Sequence, residues 1–333
     1  MKALIIKDFK TAPMIDLNVP TPVADTKFDT LIDVLAAPIE NFDKANATGR
    51  HYSSTYWHPA FPSIPGASGI GRRVDNGKLV AFPARTLKPR FGSFAEQTVA
   101  NSKLLFEIPE DTDIYSSTAA ASSLTTSIAP LQFSLEMKPG NTVLINGATG
   151  FAGQLAIQAA KALGAAEIIG TGRNPERLAA LKDLGATQTI SLADDDETIL
   201  NNLSNMKIKG DLIILDYLWG HPIELILKSI VPTSLEMKRA TSLVSIGAIA
   251  GQNITLPSTA LRTSGLQIIG MQTPKVMQNQ QAVYQAVWKL LGTGKIKTTV
   301  KTISLEDAAK DIDWQKPVPS GVRTVIKVSE IKR

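Results

Sequence analysis

Three glycines spaced as Gly-x-x-Gly-x-x-Gly, namely Gly147, Gly150 and Gly153, are the residues whose types and spacing predict chemistry most clearly. Glycine lets the backbone turn tightly and lets a ligand approach it without a Cβ atom in the way. An apolar, β-branched run at 141–146 precedes them and predicts a strand that is buried on both faces. Apolar residues at helical spacing follow at 154–163. Strand, turn and helix predict a phosphate cradle, because backbone N–H groups and the positive helix end face one anion.

This spacing is related to the Gly-x-Gly-x-x-Gly fingerprint of dinucleotide-binding sites. A second predicted strand at 167–171 leads into Gly172-Arg173-Asn174-Pro175, and Arg173 lies twenty residues beyond Gly153. A site that prefers NAD holds an acidic residue at about this distance, where it binds the ribose hydroxyls. A cation there indicates a 2′-phosphate instead, so we predict NADPH as the cofactor. A solvated surface arginine is the alternative interpretation.

Two more segments are expected to contact the cofactor through their backbone. Residues 247–249 follow a predicted strand at 243–246, and residues 270–272 lie at the end of a predicted strand at 266–271. Ligand contacts concentrate at the carboxyl ends of parallel strands. The predicted cofactor-binding residues are therefore Gly147, Ala148, Thr149, Gly150, Phe151, Ala152, Gly153, Thr171, Gly172, Arg173, Asn174, Gly247, Ala248, Ile249, Gly270, Met271 and Gln272.

The residue types argue against several other chemistries. The sequence has no cysteine and only three histidines, so cysteine-bound zinc and thiolate nucleophiles are excluded and no metal site is predicted. The stretch at 66–69 reads Gly-Ala-Ser-Gly, which lacks the Gly-x-Ser-x-Gly spacing of a nucleophile elbow. None of the five tyrosines is followed by a lysine at Tyr-x-x-x-Lys spacing. Without a Lewis acid, reduction of an activated alkene or a quinone is favoured over alcohol oxidation.

Length and charge set the class of protein. A chain of 333 residues is long enough for two domains. The net charge of +5 is spread along the sequence without an aromatic-and-basic platform, so no dedicated nucleic-acid site is expected. No run approaches the roughly 20 apolar residues that span a bilayer, and the first apolar segment is too short for a signal peptide. We therefore expect a cytoplasmic protein that acts on a small-molecule substrate.

The hydrophobic pattern changes along the chain and divides it into two regions. Residues 1–118 show short alternating runs between Pro, Gly and Asn clusters, which predicts an all-β region such as a small barrel or curled sheet. A helix is expected from 119 to about 135. Strands and helices alternate beyond it, which is the pattern of a doubly wound parallel sheet.

Several short motifs follow one another in a specific order. They are Pro62-Ser-Ile-Pro-Gly66 with Gly69 and Gly71, Phe91-Gly-Ser-Phe-Ala-Glu96, Lys138-Pro-Gly140, the glycine loop, Leu184-Gly-Ala186, the run at 211–216, and Ser320-Gly321. In this order they resemble the medium-chain dehydrogenase/reductase superfamily, specifically its zinc-free quinone oxidoreductase (ζ-crystallin-like) branch, over essentially the whole length. The family's Gly-His-Glu zinc signature reads Gly66-Ala67-Ser68 here, with neither ligand.

The resemblance implies an α/β protein with two domains. A GroES-like β-barrel catalytic domain would be built from both chain ends, at 1–118 and 275–333. A Rossmann domain for NADPH, with a doubly wound parallel sheet, would be inserted at 119–274, and the active site would lie in the cleft. The resemblance also implies a homodimer in which two Rossmann sheets join through the strand at 266–271.

The catalytic residues are the part of the resemblance where this sequence departs from the family. In the resembled branch an Asn and a Tyr, in the pattern Asn-x-x-Asp-x-Tyr near the end of an early strand, line the substrate pocket. Aligned on Asp43, this sequence has Glu40 and Ala45 at those positions, with Asn41 displaced by one residue.

The remaining donors near that pair are Asn41, His51, Tyr52 and Tyr56, with Thr126 across the cleft, and three of them are predicted as catalytic residues. Tyr52 ranks first, because a phenol both hydrogen-bonds a substrate oxygen and stacks on a flat substrate. Asn41 ranks second, since a bulge in its strand would restore its inward direction. Thr126 matches the family's helix threonine near the nicotinamide, and hydrogen bonding back to its own helix is the equal alternative.

These features predict an NADPH-dependent, zinc-independent reductase of quinones or α,β-unsaturated carbonyls that works by hydride transfer. Both substrates are flat electrophiles that stack on a nicotinamide, so the sequence does not separate them. The departure at the polar pair leaves a second hypothesis open: a non-catalytic NADPH-binding sensor or a weak nucleic-acid-binding protein.

Overall fold

The computed structural model describes residues 1–83, 87–231 and 239–330, apart from the side chain of Thr263. The strands are β1 (Ala3–Ile5), β2 (Met14–Asp16), β3 (Asp29–Ile39), β4 (Gly69–Arg73), β5 (Leu79–Phe82), β6 (Gln97–Asn101), β7 (Phe106–Glu107), β8 (Thr142–Asn146), β9 (Glu167–Gly172), β10 (Gln188–Ser191), β11 (Leu212–Asp216), β12 (Thr241–Ser245), β13 (Leu266–Gly270), β14 (Val300–Ser304) and β15 (Arg323–Lys327). The helices are α1 (Asn41–Ala47), α2 (Ser54–Trp57), α3 (Ile114–Ile128), α4 (Phe151–Ala162), α5 (Pro175–Leu184), α6 (Asp196–Ser204), α7 (Gly220–Ser229), α8 (Ser258–Thr263), α9 (Pro274–Gln278), α10 (Gln280–Leu291) and α11 (Leu305–Asp311). A 3₁₀ turn lies at Ser102–Leu104, and a π-helical segment, Ala129–Ser134, continues α3.

The chain divides into two compact units. The first unit combines residues 1–122 with residues 298–333, and the second unit is residues 123–297. The second unit thus extends past the predicted boundary at 274. Its last helices remain in it because Val276 of α9 and Val283 of α10 pack with Ala129 and Phe133 of the π-helical segment.

The second unit is built on a six-stranded parallel sheet in the order β10-β9-β8-β11-β12-β13. Strand residues alternate between two apolar clusters. Val143 and Ile145 of β8 pack in the cluster that contains α4 and α5. Leu144, between them, packs in the cluster that contains α6 and α7. Because both faces of each central strand are covered, β8 is buried along its whole length and apolar at 143–145, and the predicted doubly wound fold is confirmed.

The first unit is organised around an antiparallel sheet built from both ends of the chain. Its order is β14-β15-β3-β4-β5-β7, and β6 also pairs with β3. The pairs are antiparallel except β14 with β15, which are parallel. Strand β3 is the centre of this unit, because it pairs with the C-terminal strand β15 through residues 36–39 and with β4 through residues 32–36. Closure of the sheet into a barrel stays a prediction.

The prediction that residues 1–118 are all-β is wrong at two places. Helices α1 and α2 lie between β3 and β4. Helix α1 begins where the Asp43 carboxylate accepts a hydrogen bond from the backbone N–H of Glu40, 2.8 Å away. Helix α3 begins at Ile114 rather than near 119, because Asp113 accepts a hydrogen bond from the N–H of Ser116 at 3.1 Å. Both helices begin at acidic capping side chains, and a search for apolar periodicity does not detect such residues.

A buried ion pair connects the N-terminal segment of the first unit to its C-terminal segment. The guanidinium of Arg323, on β15, lies 3.2 Å from the Glu40 carboxylate, and both side chains are largely buried. Arg323 also donates to the backbone oxygen of Ile39 at 3.1 Å, and Glu40 accepts from Ser122 Oγ at 3.0 Å. These contacts place the start of α1 at the end of β3.

Among the described helices, none has the length and apolarity that a membrane crossing requires.

Candidate functional site

The glycine loop connects β8 to α4, and each of its glycines has a different structural role. Gly147 has a φ of 90°, a conformation that non-glycine residues rarely adopt. A Cβ atom on Gly153 would lie 2.5 Å from the Gly147 oxygen, so this glycine is needed for close packing of the loop on the helix. A Cβ atom on Gly150 would meet only the Gly147 oxygen, at 3.3 Å. Gly150 therefore faces open space at the N-terminus of α4, where the phosphate cradle was predicted.

A buried polar network at the carboxyl ends of β8, β9 and β11 holds this loop in place. Asn146 donates to Asp216 Oδ1 at 2.8 Å and accepts from Thr171 Oγ1 at 2.8 Å. Thr171 in turn accepts from the N–H of Gly147 at 3.1 Å through its hydroxyl, and its backbone oxygen accepts from Ala148. The fully buried side chain of Thr171 positions the glycine loop, and its predicted contact with the cofactor stays a prediction.

Sequence reasoning missed Asn146 and Asp216 as members of this site. Both are fully buried, and desolvation raises the pKa of the Asp216 carboxyl. Asp216 also accepts hydrogen bonds from the backbone N–H groups of Leu218 and Trp219, at 3.0 and 3.1 Å. A polar residue at the last position of each of two apolar strands was the available signal, since parallel strands end at one edge of the sheet.

The turn after β9 exposes Arg173. Its neighbour Asn174 caps α5, because its side-chain oxygen accepts from the N–H of Arg177 at 2.9 Å. A Cβ atom on Gly172 would lie 2.4 Å from the Thr149 side chain, so glycine allows this turn to pack on the glycine loop. The contact of Asn174 with a cofactor stays a prediction beside this capping role, and the guanidinium of Arg173 is exposed in the same turn.

The segments at 247–249 and 270–272 follow β12 and β13 at the same sheet edge. The N–H of Gly247 donates to the Asp216 oxygen at 3.1 Å, and a Cβ atom there would meet the Tyr217 oxygen at 2.6 Å. Ile249 is 56% exposed, whereas Ala248 is partly buried. Gly270 has no atom within 4 Å of its Cβ position, and the N–H of Met271 is bonded to the Ser245 oxygen.

Thr126 is tied into the second unit by two hydrogen bonds. Its hydroxyl donates to the backbone oxygen of Ser123 at 2.7 Å, so in its contact with Tyr217 Oη at 3.1 Å the tyrosine is the donor. Burial raises the pKa of Tyr217, which keeps this phenol neutral. Tyr217, directly after β11, is a second residue that sequence reasoning missed.

Asn41 and Tyr52 are placed differently from the prediction. Asn41 is the first residue of helix α1 rather than part of a bulged strand, so the proposed bulge is wrong. Its side-chain oxygen accepts from the N–H of Val318 at 2.8 Å. Tyr52 is 93% exposed, and its ring lies against His51 at a centroid distance of 4.3 Å. Neither side chain lies in an enclosed position.

The first unit contains a small pocket that neither Asn41 nor Tyr52 lines. It is lined by Phe42, Asp43, Asn46, Trp57, His58, Ile64, Gly66, Ala67, Lys88, Arg90 and Gly92. Two rings, Phe42 and Trp57, meet edge to face at 6.2 Å and form an aromatic wall. The buried carboxylate of Asp43 accepts from the N–H of Ala67 at 2.9 Å. Its pKa is raised, first by desolvation and then by the nearby charge of Glu40.

His58 is a buried member of the pocket that sequence reasoning did not select. Its Nδ1 lies 2.7 Å from Ser63 Oγ, and the residue is only 6% exposed. Burial lowers its pKa to about 4, so the imidazole is neutral at physiological pH. Within the described ranges, no group of three or more His, Asp or Glu residues is arranged to hold a metal ion.

Comparison with known proteins gives the following similarities. Residues 152–292 match the family model described as zinc-binding dehydrogenase. The quinone oxidoreductase of Pseudomonas aeruginosa is 29% identical over 164 residues, 45% of this chain and 49% of that protein. The NADPH-dependent alkenal/one oxidoreductase of Arabidopsis thaliana is 26% identical over 230 residues, 64% of this chain and 56% of that protein. The chain spans about half the length of the curated relatives that it matches.

A solved structure resembles the whole chain. The quinone oxidoreductase of Thermus thermophilus, whose complex with NADPH was also solved, superposes with a TM-score of 0.73 at 22% identity. The superposition covers 98% of this chain and 100% of that one. This similarity concerns the fold.

The neutral state of His58 predicts a specific loss of stability in acid. The folded pKa of about 4 lies below the ordinary value of 6.5, so the unfolded chain binds the proton first as the pH falls. The free energy of unfolding of the wild type should therefore drop, relative to His58→Gln, by about 3 kcal/mol between pH 7 and pH 4. Urea denaturation of both proteins across this range measures it. Asp43 is present in both proteins, so the effect of its titration on the free energy of unfolding largely cancels in the comparison. Parallel pH curves of the two proteins would contradict the assignment.

Proposed function

We propose that this chain is a quinone oxidoreductase-like member of the medium-chain dehydrogenase/reductase superfamily and that it is an NADPH-dependent oxidoreductase. Its substrates are quinones or α,β-unsaturated carbonyls, which it reduces by hydride transfer without a catalytic zinc. The observation that carries the proposal is the glycine loop between β8 and α4, with an exposed arginine at the end of the neighbouring strand β9.

The second unit fits a dinucleotide. Gly150 leaves space in front of the α4 N-terminus, where a side chain would stand in the way of a phosphate. The N–H groups of Ala152 and Gly153 belong to the first turn of α4, so they have no acceptor within the helix. The segments at 247–249 and 270–272 offer backbone groups along the same sheet edge. Arg173, without an acid in its turn, suits the 2′-phosphate of NADPH.

The chemistry follows from what the cofactor supplies and what the chain lacks. NADPH, when bound, supplies a hydride. The chain offers no thiolate, and its described part has no cluster of metal ligands, so a substrate must be electrophilic without a Lewis acid. Quinones and enones meet this condition. Reduction places negative charge on an oxygen of the acceptor, where a hydrogen-bond donor stabilises the transition state.

The arrangement at β13 supports a homodimer. This strand ends the parallel sheet, and Gln267, Ile268 and Gly270 on it are exposed. An exposed, partly apolar edge strand is a template for pairing with a second strand. Two copies that paired through β13 would join their sheets by a two-fold axis.

Light scattering at micromolar concentration should give twice the chain mass, and Ile268→Lys should shift the protein to a monomer. A monomeric wild type would refute the proposal.

Arg173 should decide the choice of cofactor. Loss of an arginine–phosphate interaction costs about 1.5–3 kcal/mol, which corresponds to a roughly ten- to hundredfold weaker affinity. Arg173→Ala should therefore weaken NADPH binding by this factor and leave NADH binding nearly unchanged. Fluorescence titration with both cofactors measures it. Lys182→Ala, an exposed cation further along α5, is the matched control, and equal affinity of the wild type for NADH and NADPH would overturn the assignment.

Turnover separates the reductase from the alternative of a non-catalytic sensor. We expect NADPH to be consumed with at least one member of a panel of ortho-quinones, para-quinones, enones and enals, and the addition of a metal chelator should not slow the reaction. Binding of NADPH is measured alongside. Tight binding without turnover of any member would favour the sensor, and a salt-dependent shift of single-stranded RNA would favour weak nucleic-acid binding.

A further inference from the structure

The carboxyl end of β11 borders the point where the strand order of the parallel sheet reverses. From β8 the chain adds β9 and β10 on one side, and it then adds β11, β12 and β13 on the other side. Ligands of doubly wound sheets bind in the crevice at such a reversal, which lies here between β8 and β11. Arg173 follows β9, so the adenosine half of NADPH is expected on that side. The nicotinamide half is then expected on the side of β11 and β12.

Tyr217, the first residue after β11, belongs to a turn whose backbone is held on both sides. Its N–H donates to the Asn146 oxygen at 3.1 Å, which continues the ladder between β8 and β11. A Cβ atom on Gly247 would lie 2.6 Å from the Tyr217 oxygen, so the segment after β12 packs directly on this turn. Trp219 adopts φ 57° and ψ −162°, a combination nearly confined to glycine, and the Asp216 carboxylate accepts from its N–H. These contacts fix the turn and therefore the place of the Tyr217 side chain.

The phenol of Tyr217 contacts the hydroxyl of Thr126 on α3, and the direction of this hydrogen bond follows from the partners. Thr126 Oγ1 lies 2.7 Å from the backbone oxygen of Ser123, which can only accept, so the single hydroxyl proton of the threonine is used there. In the 3.1 Å contact with Tyr217 Oη, the phenol is then the donor. Burial raises the pKa of Tyr217, so the phenol keeps the proton that this bond requires. Thr126 therefore has no proton left for a ligand.

The hydroxyl of Thr126 can still accept one more hydrogen bond. A hydroxyl oxygen has two lone pairs, and Tyr217 uses one of them. Thr126 is only partly buried, and so are its two hydrogen bonds, which leaves the second lone pair accessible to a ligand. A group that only accepts selects a ligand group that donates. It does not suit the carbonyl oxygen of a quinone or an enone, which is itself an acceptor.

We propose that Thr126, positioned by Tyr217, accepts a hydrogen bond from the carboxamide N–H of the nicotinamide and thereby fixes the rotation of that ring. This inference rests on the NADPH binding of the proposed function. It assigns Thr126 to orientation of the cofactor rather than to stabilisation of charge on the substrate. Ile246 and Met271, directly after β12 and β13, pack in the same apolar cluster as Tyr217, and they offer apolar surface for a flat ring beside it.

A cofactor analogue tests this hydrogen bond without turnover. The 3-acetylpyridine analogue of NADP⁺ has a methyl ketone in place of the amide, so it keeps the carbonyl and loses the N–H. Calorimetric titration of the wild type should show roughly tenfold tighter binding of NADP⁺, the effect of one hydrogen bond. Thr126→Val should reduce this ratio to about one by weakening the binding of NADP⁺ alone. Thr126→Ser, which keeps the hydroxyl, should retain the ratio of the wild type.

Tyr217→Phe tests the positioning role. The ring still fills its place, but the threonine hydroxyl becomes free to rotate and to donate, which suits the ketone as well as the amide. The ratio of the two affinities should therefore fall to roughly threefold. Thr125→Val, one position earlier on α3, and Tyr284→Phe, a partly buried tyrosine of α10, are the matched controls and should keep the ratio of the wild type.

The fragment 2′,5′-ADP separates a local effect from a structural one, because it carries the 2′-phosphate but no nicotinamide. Every variant should bind it as the wild type does, and weaker binding by Thr126→Val or Tyr217→Phe would count against a local positioning role. A wild-type ratio that persists in Thr126→Val would overturn the proposal. Equal weakening of both dinucleotides by Thr126→Val would also overturn it, because a ribose hydroxyl would then be the donor.

The same titrations distinguish failure of this inference from failure of the function on which it rests. A wild type that binds neither NADP⁺ nor 2′,5′-ADP would reject the proposed NADPH-dependent function itself. A wild type that binds both, but holds the 3-acetylpyridine analogue as tightly as NADP⁺, would reject only the hydrogen bond to Thr126.

Discussion

The hydrogen bonds of Asn146 are the constraint on which the second unit depends. Its amide joins the ends of three neighbouring strands: Asp216 of β11 on one side, its own strand β8, and Thr171 of β9 on the other. A buried amide or carboxylate without partners is costly, so these groups stabilise only one arrangement of the strand ends. The backbone of Gly147 is bonded into the same network, and the glycine loop therefore starts from a fixed position.

The same physical principle places the pocket of the first unit. Glu40 and Arg323 form a mostly buried ion pair at the junction of β3, α1 and β15. Breaking such a pair leaves an uncompensated charge, so the pair specifies the position of α1 strongly even where it adds little net stability. Glu40 stands where the resembled branch has a pocket asparagine, and in this chain its carboxylate is used for the ion pair.

Much of the fold was predictable because its signals are local. The apolar run at 143–145, the glycine spacing and the capping residues around α5 each depend on neighbours within a few positions. Helix α5 was predicted from Pro175 and Gly185, and these residues are its first position and its C-terminal cap. Helices α1 and α2 were missed because short polar helices in a β-rich region carry no clear apolar period.

The sequence by itself determined the nucleotide-binding architecture, the position of its glycine loop and the absence of thiolate ligands. The tertiary structure alone decided which side chains are available for chemistry. Asn41 is bonded to Val318, which lies 277 positions away, and Thr171 is enclosed by strands that come from other parts of the chain. The imidazole of His58 is neutral at physiological pH because the folded chain buries it, which its position in the sequence does not indicate. Hydrogen-bond partners and desolvation act through space, so residue type and spacing do not encode them one position at a time.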